Sequence, residues 1–225
     1  MRGKAVALGL VAILTLTAGS AAQNAAKSPG QGEVAAAAAK ELRIFVRENR
    51  TFKFGKDLVT IKGTIEVVQG EVRLWAGEIV YDTKKKFATL SGGAKLVQED
   101  LTITGDRFSA WFDEEKYVLE TGVRLAKQDK DPNQGDKLVL AADRLDYDSR
   151  SRAMTATGNV SLTEQDRVAT ARRVEYRDKE SRVVLEGGVE VTEKDGKTIR
   201  GERIIIDLDR DVVEVEGPVE AEFLL

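Results

Sequence analysis

Residues 201–219 read GERIIIDLDRDVVEVEGPV, and this stretch contains one complete copy of the pattern that decides the fold. Ile204, Ile206 and Leu208 stand at alternate positions before a polar turn, and Val213 and Val215 resume the alternation after it. An apolar period of two, rich in β-branched residues, is typical of a strand with one buried face. The stretch therefore predicts two antiparallel strands joined by a hairpin loop.

The same unit recurs along the chain. Each copy begins with a small residue and then an acid, which we expect at the start of a strand, and ends with a glycine that leads into a further apolar alternation. The small residue and its neighbour stand at Gly77-Glu78, Gly105-Asp106, Ala142-Asp143, Ala171-Arg172 and Gly201-Glu202, with arginine replacing the acid at 172. Because a role that recurs with the repeat is structural rather than catalytic, we expect these acids to bond loop backbone or to face solvent.

The repeat has a steady period of about 29 residues. The first apolar residues after successive glycines are separated by 29, 29, 37, 29 and 30 positions, and they are Ile65, Ala94, Val123, Val160, Val189 and Val219. The one long interval contains Asp-Pro-Asn and a glycine between Lys127 and Lys137, which predicts an inserted loop. A two-strand unit at a fixed period predicts an all-β stack.

Strands with one apolar face must bury those faces against each other, so we expect a folded-over sheet or two facing sheets with a continuous apolar interior. That interior either packs completely or leaves a slot where small residues such as Ala110 alternate with large ones. The predicted inward residues, which would contact a lipid if the slot exists, are Phe108, Ala110, Phe112, Tyr117, Leu119, Leu145, Tyr147, Val174, Tyr176, Ile204, Ile206 and Leu208.

Composition excludes several classes of protein. The chain has neither cysteine nor histidine, so disulfides, Ser-His-Asp or Cys-His catalysis and the usual zinc sites are impossible. A net charge of −3 with interspersed signs argues against a nucleic-acid partner. We predict a protein that is not an enzyme and that uses no cofactor or metal.

The N-terminal part predicts export. Residues 1–22 combine a basic start, an apolar run and small residues, which is typical of a cleaved signal peptide rather than an uncleaved anchor. Residues 23–42 are rich in alanine and predict a flexible tether, with a short helix from Glu33 to Leu42 as the alternative. Residues 43–225 then form the β domain.

The C-terminal end is apolar, with Phe223, Leu224 and Leu225 at its tip. A last strand that avoids edge association usually carries lysine or proline. These three residues therefore predict an edge that pairs with another sheet, although a strand tucked under its neighbour would explain them equally well.

Residues 50–225 resemble the OstA-like, or LptA, family of periplasmic lipopolysaccharide-transport proteins. The resemblance lies in the small residue and acid, the return strand, and glycine followed by an alternation such as Gly122-Val123-Arg124-Leu125. It implies an incompletely closed β-jellyroll whose interior carries lipid A acyl chains. It also implies a periplasmic location and edge-strand pairing with LptC-like and LptD-like jellyrolls, or head to tail with further copies of itself.

Two hypotheses for the function follow. The first is a bridge or carrier that binds lipopolysaccharide, or a related glycolipid, in its interior and passes it toward the outer membrane. The second is a structural β-solenoid scaffold with a fully packed interior and protein partners. A carbohydrate-active enzyme would need two carboxylates facing each other across a cleft, and the spacing singles out no such pair.

Overall fold

The computed structural model describes residues 12–16, 41–128, 136–164, 166–210 and 212–222, with the backbone alone at 12–16 and 49–50. This part of the chain is almost entirely strand. The strands are β1 (Ala12–Leu16), β2 (Leu42–Phe54), β3 (Leu58–Gln69), β4 (Val72–Asp82), β5 (Phe87–Gln98), β6 (Leu101–Trp111), β7 (Lys116–Gln128), β8 (Asp136–Asp148), β9 (Ala153–Glu164), β10 (Arg167–Arg177), β11 (Arg182–Glu193), β12 (Thr198–Asp207), β13 (Val212–Glu216) and β14 (Glu220–Glu222). Within these ranges no helix has the length and apolar character needed to cross a membrane.

The strands form a single antiparallel sheet in chain order from β1 to β13, and β14 pairs with β12 beside β13. Because β1 and β13 lie at opposite ends of the strand order, the sheet is not closed into a barrel in the part of the chain that is described. This architecture confirms the prediction of an all-β, incompletely closed jellyroll built from a two-strand repeat.

The long strands bend near their middles, where the pairing register shifts. In the β3–β4 pair the shift lies between Lys62 and Ile65, and in the β7–β8 pair it lies between Glu120 and Val123. Such bulges bend a strand without ending it. Apolar residues are buried on both sides of each bend, as Leu74 and Ile79 are in β4.

The expectation that the recurrent acids begin strands is wrong. They lie at the bends in the middle of β4, β6, β8 and β12, and the residues are Glu78, Asp106, Asp143 and Glu202. The small residue beside each acid permits the bulge, and pairing then continues to the end of the strand. Sequence reasoning placed an element boundary at a glycine that only redirects the strand.

The hairpin loops expected after the apolar alternations are present, and aspartate shapes three of them. Asp82, Asp148 and Asp207 each accept hydrogen bonds from the backbone N–H groups two and three residues later, at 3.0 to 3.1 Å. This arrangement is the Asx turn that aspartate favours at the start of a loop. Most of the predicted insertion lies outside the described residues, and its two ends belong to strands, because β7 continues to Gln128 and β8 begins at Asp136.

The bends fold the sheet over so that its two halves face each other. We call rim 1 the edge formed by the turns after β3, β5, β9 and β11 and by the adjoining ends of β7 and β8. Rim 2 is the edge formed by the turns after β2, β4, β6, β8, β10 and β12. Contacts join the rims across more than 40 residues of sequence, as between Gln69 and Phe112 or between Gln98 and Tyr147. The apolar faces are enclosed between the two halves in one continuous core.

Both ends of the chain extend beyond the described core. β1 lies inside the segment expected to be a signal peptide, and it pairs antiparallel with Leu42–Val46 at the outer edge of β2. Most of the expected tether, from 23 to 40, lies outside the described residues. The same holds for Phe223, Leu224 and Leu225, so the predicted association through that edge stays a prediction.

Gly92 and Gly93 provide a matched test of the bend in β5. Both have positive φ, +78° and +82°, but a Cβ on Gly92 would lie 3.2 Å from the Cα of Gly77, whereas a Cβ on Gly93 would have no atom within 4 Å. Gly93→Ala should therefore lower the free energy of unfolding by only the left-handed backbone penalty, about 1 kcal/mol. Gly92→Ala should lower it by at least about 1 kcal/mol more, because its Cβ also meets the backbone of Gly77. Urea unfolding of both variants measures this difference, and equal losses would contradict the close backbone contact.

Candidate functional site: the apolar interior and its polar seam

The structure places the predicted inward residues together in the space between the two halves of the sheet. Eleven of the twelve are buried, and Leu208 is partly buried against the same core. The inward register deduced from the alternation is therefore the one that the structure has. Three other aromatic residues, Trp75, Phe87 and Trp111, lie on the opposite face, where Phe87 and Trp111 pack with ring centroids 4.9 Å apart.

Aromatic rings line the rim 2 side of the interior. Tyr117 contacts both Phe108 and Tyr147, with ring centroids 5.9 and 6.3 Å apart, and Tyr81 meets Phe112 edge to face at 5.8 Å. The small side chain of Ala110 pairs directly with Tyr117 across β6 and β7, so the large ring occupies the space that alanine leaves. Large and small inward residues therefore complement each other across neighbouring strands.

A line of polar contacts closes the interior where rim 1 meets rim 2, and we call this line the seam and each contact a rung. At the first rung Gln69 donates to the backbone oxygen of Phe112 at 2.8 Å and accepts from the hydroxyl of Tyr117 at 3.4 Å. At the second rung the hydroxyl of Tyr147 donates to Gln98 at 2.7 Å. Buried amides and phenols at both rungs therefore satisfy each other.

The third rung is charged. Lys127 donates to the hydroxyl of Tyr176 at 3.0 Å and to Asp178 at 2.5 Å, and Tyr176 donates to the same carboxylate at 2.7 Å. Arg152 lies beside this rung and donates to Asp178, Glu99 and Asp100 at 2.7 to 2.9 Å. One guanidinium thus joins a rim 1 turn to two rim 2 turns.

The protonation states suit hydrogen bonding rather than catalysis. Burial raises the pKa of Tyr117, Tyr147 and Tyr176, and that of Tyr81 to about 12, so these phenols stay protonated. Burial alone would lower the pKa of Lys127, but hydrogen bonds to Asp178 and Tyr176 outweigh it and raise the pKa.

Chemically, the interior offers an apolar space with a polar closure. In the described ranges no group of three or more acidic side chains could hold a metal ion. The tyrosine hydroxyls at the seam serve as donors to Gln69, Gln98 and Asp178. When the seam is closed, this arrangement can keep water away from apolar groups in the interior. Where the seam opens, it can admit apolar groups from outside.

Sequence reasoning missed the rim 1 members of the seam. Gln69, Gln98 and Lys127 are separated by 29 residues and stand four positions after Ile65, Ala94 and Val123. A polar residue recurring at a fixed place in an otherwise inward row was the signal that could have found them. It was overlooked because the repeat was followed through its apolar residues alone.

The model of the family described as "LptA/(LptD N-terminal domain) LPS transport protein" matches residues 31–116 and 80–212, which together cover more than half of the chain. The chain belongs to this family of lipopolysaccharide-transport proteins. The LptA/LptD N-terminal match covers β2 to β12, and therefore the whole seam. It confirms the resemblance noted from the repeat.

A solved structure of LptH from Pseudomonas aeruginosa, titled as the LptA homologous periplasmic component of the lipopolysaccharide transport device, is also similar. The two share 18% sequence identity, the alignment covers 68% of this chain and 95% of LptH, and the TM-score is 0.31. At that TM-score the likeness adds nothing to the family assignment. No curated protein matches the sequence.

The second rung can be tested by a double-mutant cycle. Tyr147→Phe removes the donor and leaves the buried oxygen of Gln98 without its phenol, so we expect a loss of about 1 to 2 kcal/mol in the free energy of unfolding. Adding Gln98→Leu should recover part of that loss, because neither partner then has an unmet polar group. Urea unfolding of the four proteins measures the coupling, and additive losses would mean that the rung contributes no specific bond.

Asp178 should make the seam acid-sensitive. Burial raises its pKa, but the hydrogen bonds from Lys127 and Tyr176 and the charges of Lys127 and Arg152 lower it overall, below the usual 3.8. Its ionised form therefore stabilises the fold fully above about pH 4, and that contribution is lost as the pH falls through the lowered value. At neutral pH, Asp178→Asn should cost about 1 kcal/mol.

The measurement is the unfolding free energy of wild type and Asp178→Asn between pH 7 and pH 2.5. The difference between the two proteins should be constant above about pH 4 and should shrink below it. Asp195→Asn is the control, because Asp195 is an exposed acid in the turn after β11 whose pKa is lowered by a hydrogen bond from Lys197. Its difference should change with pH in the same direction but stay much smaller, since solvent screens the exposed pair. A difference at Asp178 that does not change with pH would contradict an ionic third rung.

Proposed function

We propose that this protein is a periplasmic carrier that holds acyl chains of lipopolysaccharide between the halves of its folded sheet and passes the lipid toward the outer membrane. The observation that carries the proposal is the continuous apolar core running from β2 to β12, in a member of a lipopolysaccharide-transport family. The inward residues from Phe108 to Leu208 would then contact the acyl chains. No catalytic residue or cofactor is needed for this activity.

Burial of the lipid provides the driving force. Each methylene moved out of water contributes about 0.8 kcal/mol, so a twelve-carbon chain contributes on the order of 10 kcal/mol before ordering costs. The core side chains pack against one another while the seam is closed. The two halves must therefore separate to admit a chain, and hydrogen-bonded rungs of modest individual strength suit a closure that opens and reforms.

Export and partners belong to the same proposal. Cleavage of residues 1–22 would remove β1 and leave the Leu42–Val46 edge of β2 without a neighbour. An exposed edge of this kind pairs readily with another strand. We therefore expect LptC-like and LptD-like jellyrolls, or further copies of this chain, to extend the sheet at its two ends, with Phe223, Leu224 and Leu225 contributing to the second edge.

The deep burial of the interior favours one second candidate, a structural scaffold that never opens. Native mass spectrometry of the mature protein, purified gently from cells that make lipopolysaccharide, separates the two functions. A carrier should retain bound lipid, whereas a scaffold should have only the mass of the polypeptide.

Neighbouring positions on β6 give a matched pair of variants for this experiment. Ala110 faces the interior and Ser109 faces away from it. Ala110→Leu should fill the interior and reduce the retained lipid several-fold at a stability cost of about 1 to 3 kcal/mol, whereas Ser109→Leu adds comparable bulk outside and should leave the lipid unchanged. Circular dichroism and urea unfolding confirm that both variants fold. Equal lipid in both variants would count against binding in the interior.

A further inference from the structure

The seam follows two rows of paired residues, and these rows extend beyond the third rung. On rim 1 the row continues by direct strand pairing from Lys127 through Leu138 to Glu164, Arg167 and Glu193. On rim 2 it continues from Tyr147 and Tyr176 to Ile206. The fourth rung would therefore join the Glu164 position to the Ile206 position, just as the second joins Gln98 to Tyr147.

The side chains at the fourth position cannot form such a rung. Ile206 and the nearby Leu208 have no polar side-chain atoms, so neither can hydrogen-bond to a partner on rim 1. Glu164 and Glu193 each form an ion pair with Arg167 along rim 1, at 3.9 and 3.6 Å. The tyrosine hydroxyl that rim 2 contributes to each of the first three rungs therefore has no counterpart at this position.

A hollow of about 760 Å³ lies where the fourth rung would be. Leu208 lines it on the rim 2 side and also packs against the apolar core. Charged residues line the opposite side, namely Lys137, Glu164, Asp166, Arg167, Glu193, Lys194 and Asp195. The hollow thus has an apolar wall formed by the single side chain of Leu208, which leads into the interior, and an opposite wall of mixed charge.

We infer that this hollow, between the turns after β9 and β12, is the port through which the lipid enters or leaves the interior. The two walls match an amphiphile, because an acyl chain can follow Leu208 and Ile206 inward while a charged or sugar head group stays at the ionic wall. Because hydrogen-bonded rungs hold the two halves together elsewhere along the seam, the halves separate first at this position. The inference rests on the proposed function, since it names where the same interior exchanges its cargo.

The absence of cysteine from the chain gives a direct test. A single Leu208→Cys variant can be labelled with a bulky maleimide at the port, and Leu58→Cys provides the matched control. Leu58 is also a rim 2 leucine, 51% exposed, but it adjoins the turn after β2 at the other end of the seam. The rate at which each protein exchanges fluorescently labelled lipopolysaccharide with detergent micelles is measured before and after labelling.

Labelling Leu208→Cys should slow exchange at least about tenfold, whereas labelling Leu58→Cys should leave the rate within about twofold of the unlabelled protein. An unchanged rate after labelling at 208, or equal slowing by both labels, would overturn the port. These results differ from failure of the proposed function, in which the unlabelled proteins would bind no lipopolysaccharide at all.

A second pair of variants tests the same position without a label. Glu164→Gln with Ile206→Tyr copies the amide and phenol of the second rung, and one added hydrogen bond should slow exchange roughly five-fold. Glu164→Gln with Ile206→Phe has the same ring without the hydroxyl, so its exchange should be faster than that of the tyrosine variant. The inference would be contradicted if the tyrosine variant retained bound lipid and yet exchanged it as fast as wild type does.

Discussion

The fold depends on burying one face of a long antiparallel sheet. An open sheet of thirteen successive neighbours has an apolar face too large to leave in water, and the described part of the chain forms no second sheet to cover it. The bend in the middle of each long strand solves this problem, since it turns one half of the sheet onto the other while hydrogen bonding continues through every strand pair. The small residues at the bends are therefore as important to the fold as the apolar residues that they bring together.

Folding the sheet over creates a second requirement at the rims, where the last inward residues of the strands meet. Polar groups that are buried there need partners, and Gln69, Gln98 and Lys127 find them on the rim 2 strands and turns rather than in their own hairpins. This gives the interior a closure of a different kind from its core. The core is held by non-directional burial, whereas the seam is held by a few directional bonds. A protein that opens to a lipid and closes again can break the bonds of the seam without unfolding the core.

The family assignment and the geometry support each other at this point. Membership in a lipopolysaccharide-transport family indicates what kind of molecule is moved, and the structure indicates how an apolar chain could be sheltered. The gradual change along the seam, from neutral amides through a lysine and an arginine cluster to an apolar and ionic hollow, distinguishes the two ends of the molecule. A repeat whose units were identical would have no such direction, so the departures from the repeat are where a functional asymmetry can arise.

The sequence by itself determined the strand character, the two-strand period, the hairpin loops between the apolar alternations, and which side chains face inward. All of these depend on interactions between residues close in the chain, through the alternation of period two and the turn chemistry of aspartate and glycine. Tertiary structure alone decided that Gly77-Glu78 and its counterparts bend a strand instead of starting one. It also brought Gln98 to Tyr147 and Lys127 to Tyr176. Those partners lie 49 residues apart, and only the folding of the sheet sets their proximity, which local patterning does not encode.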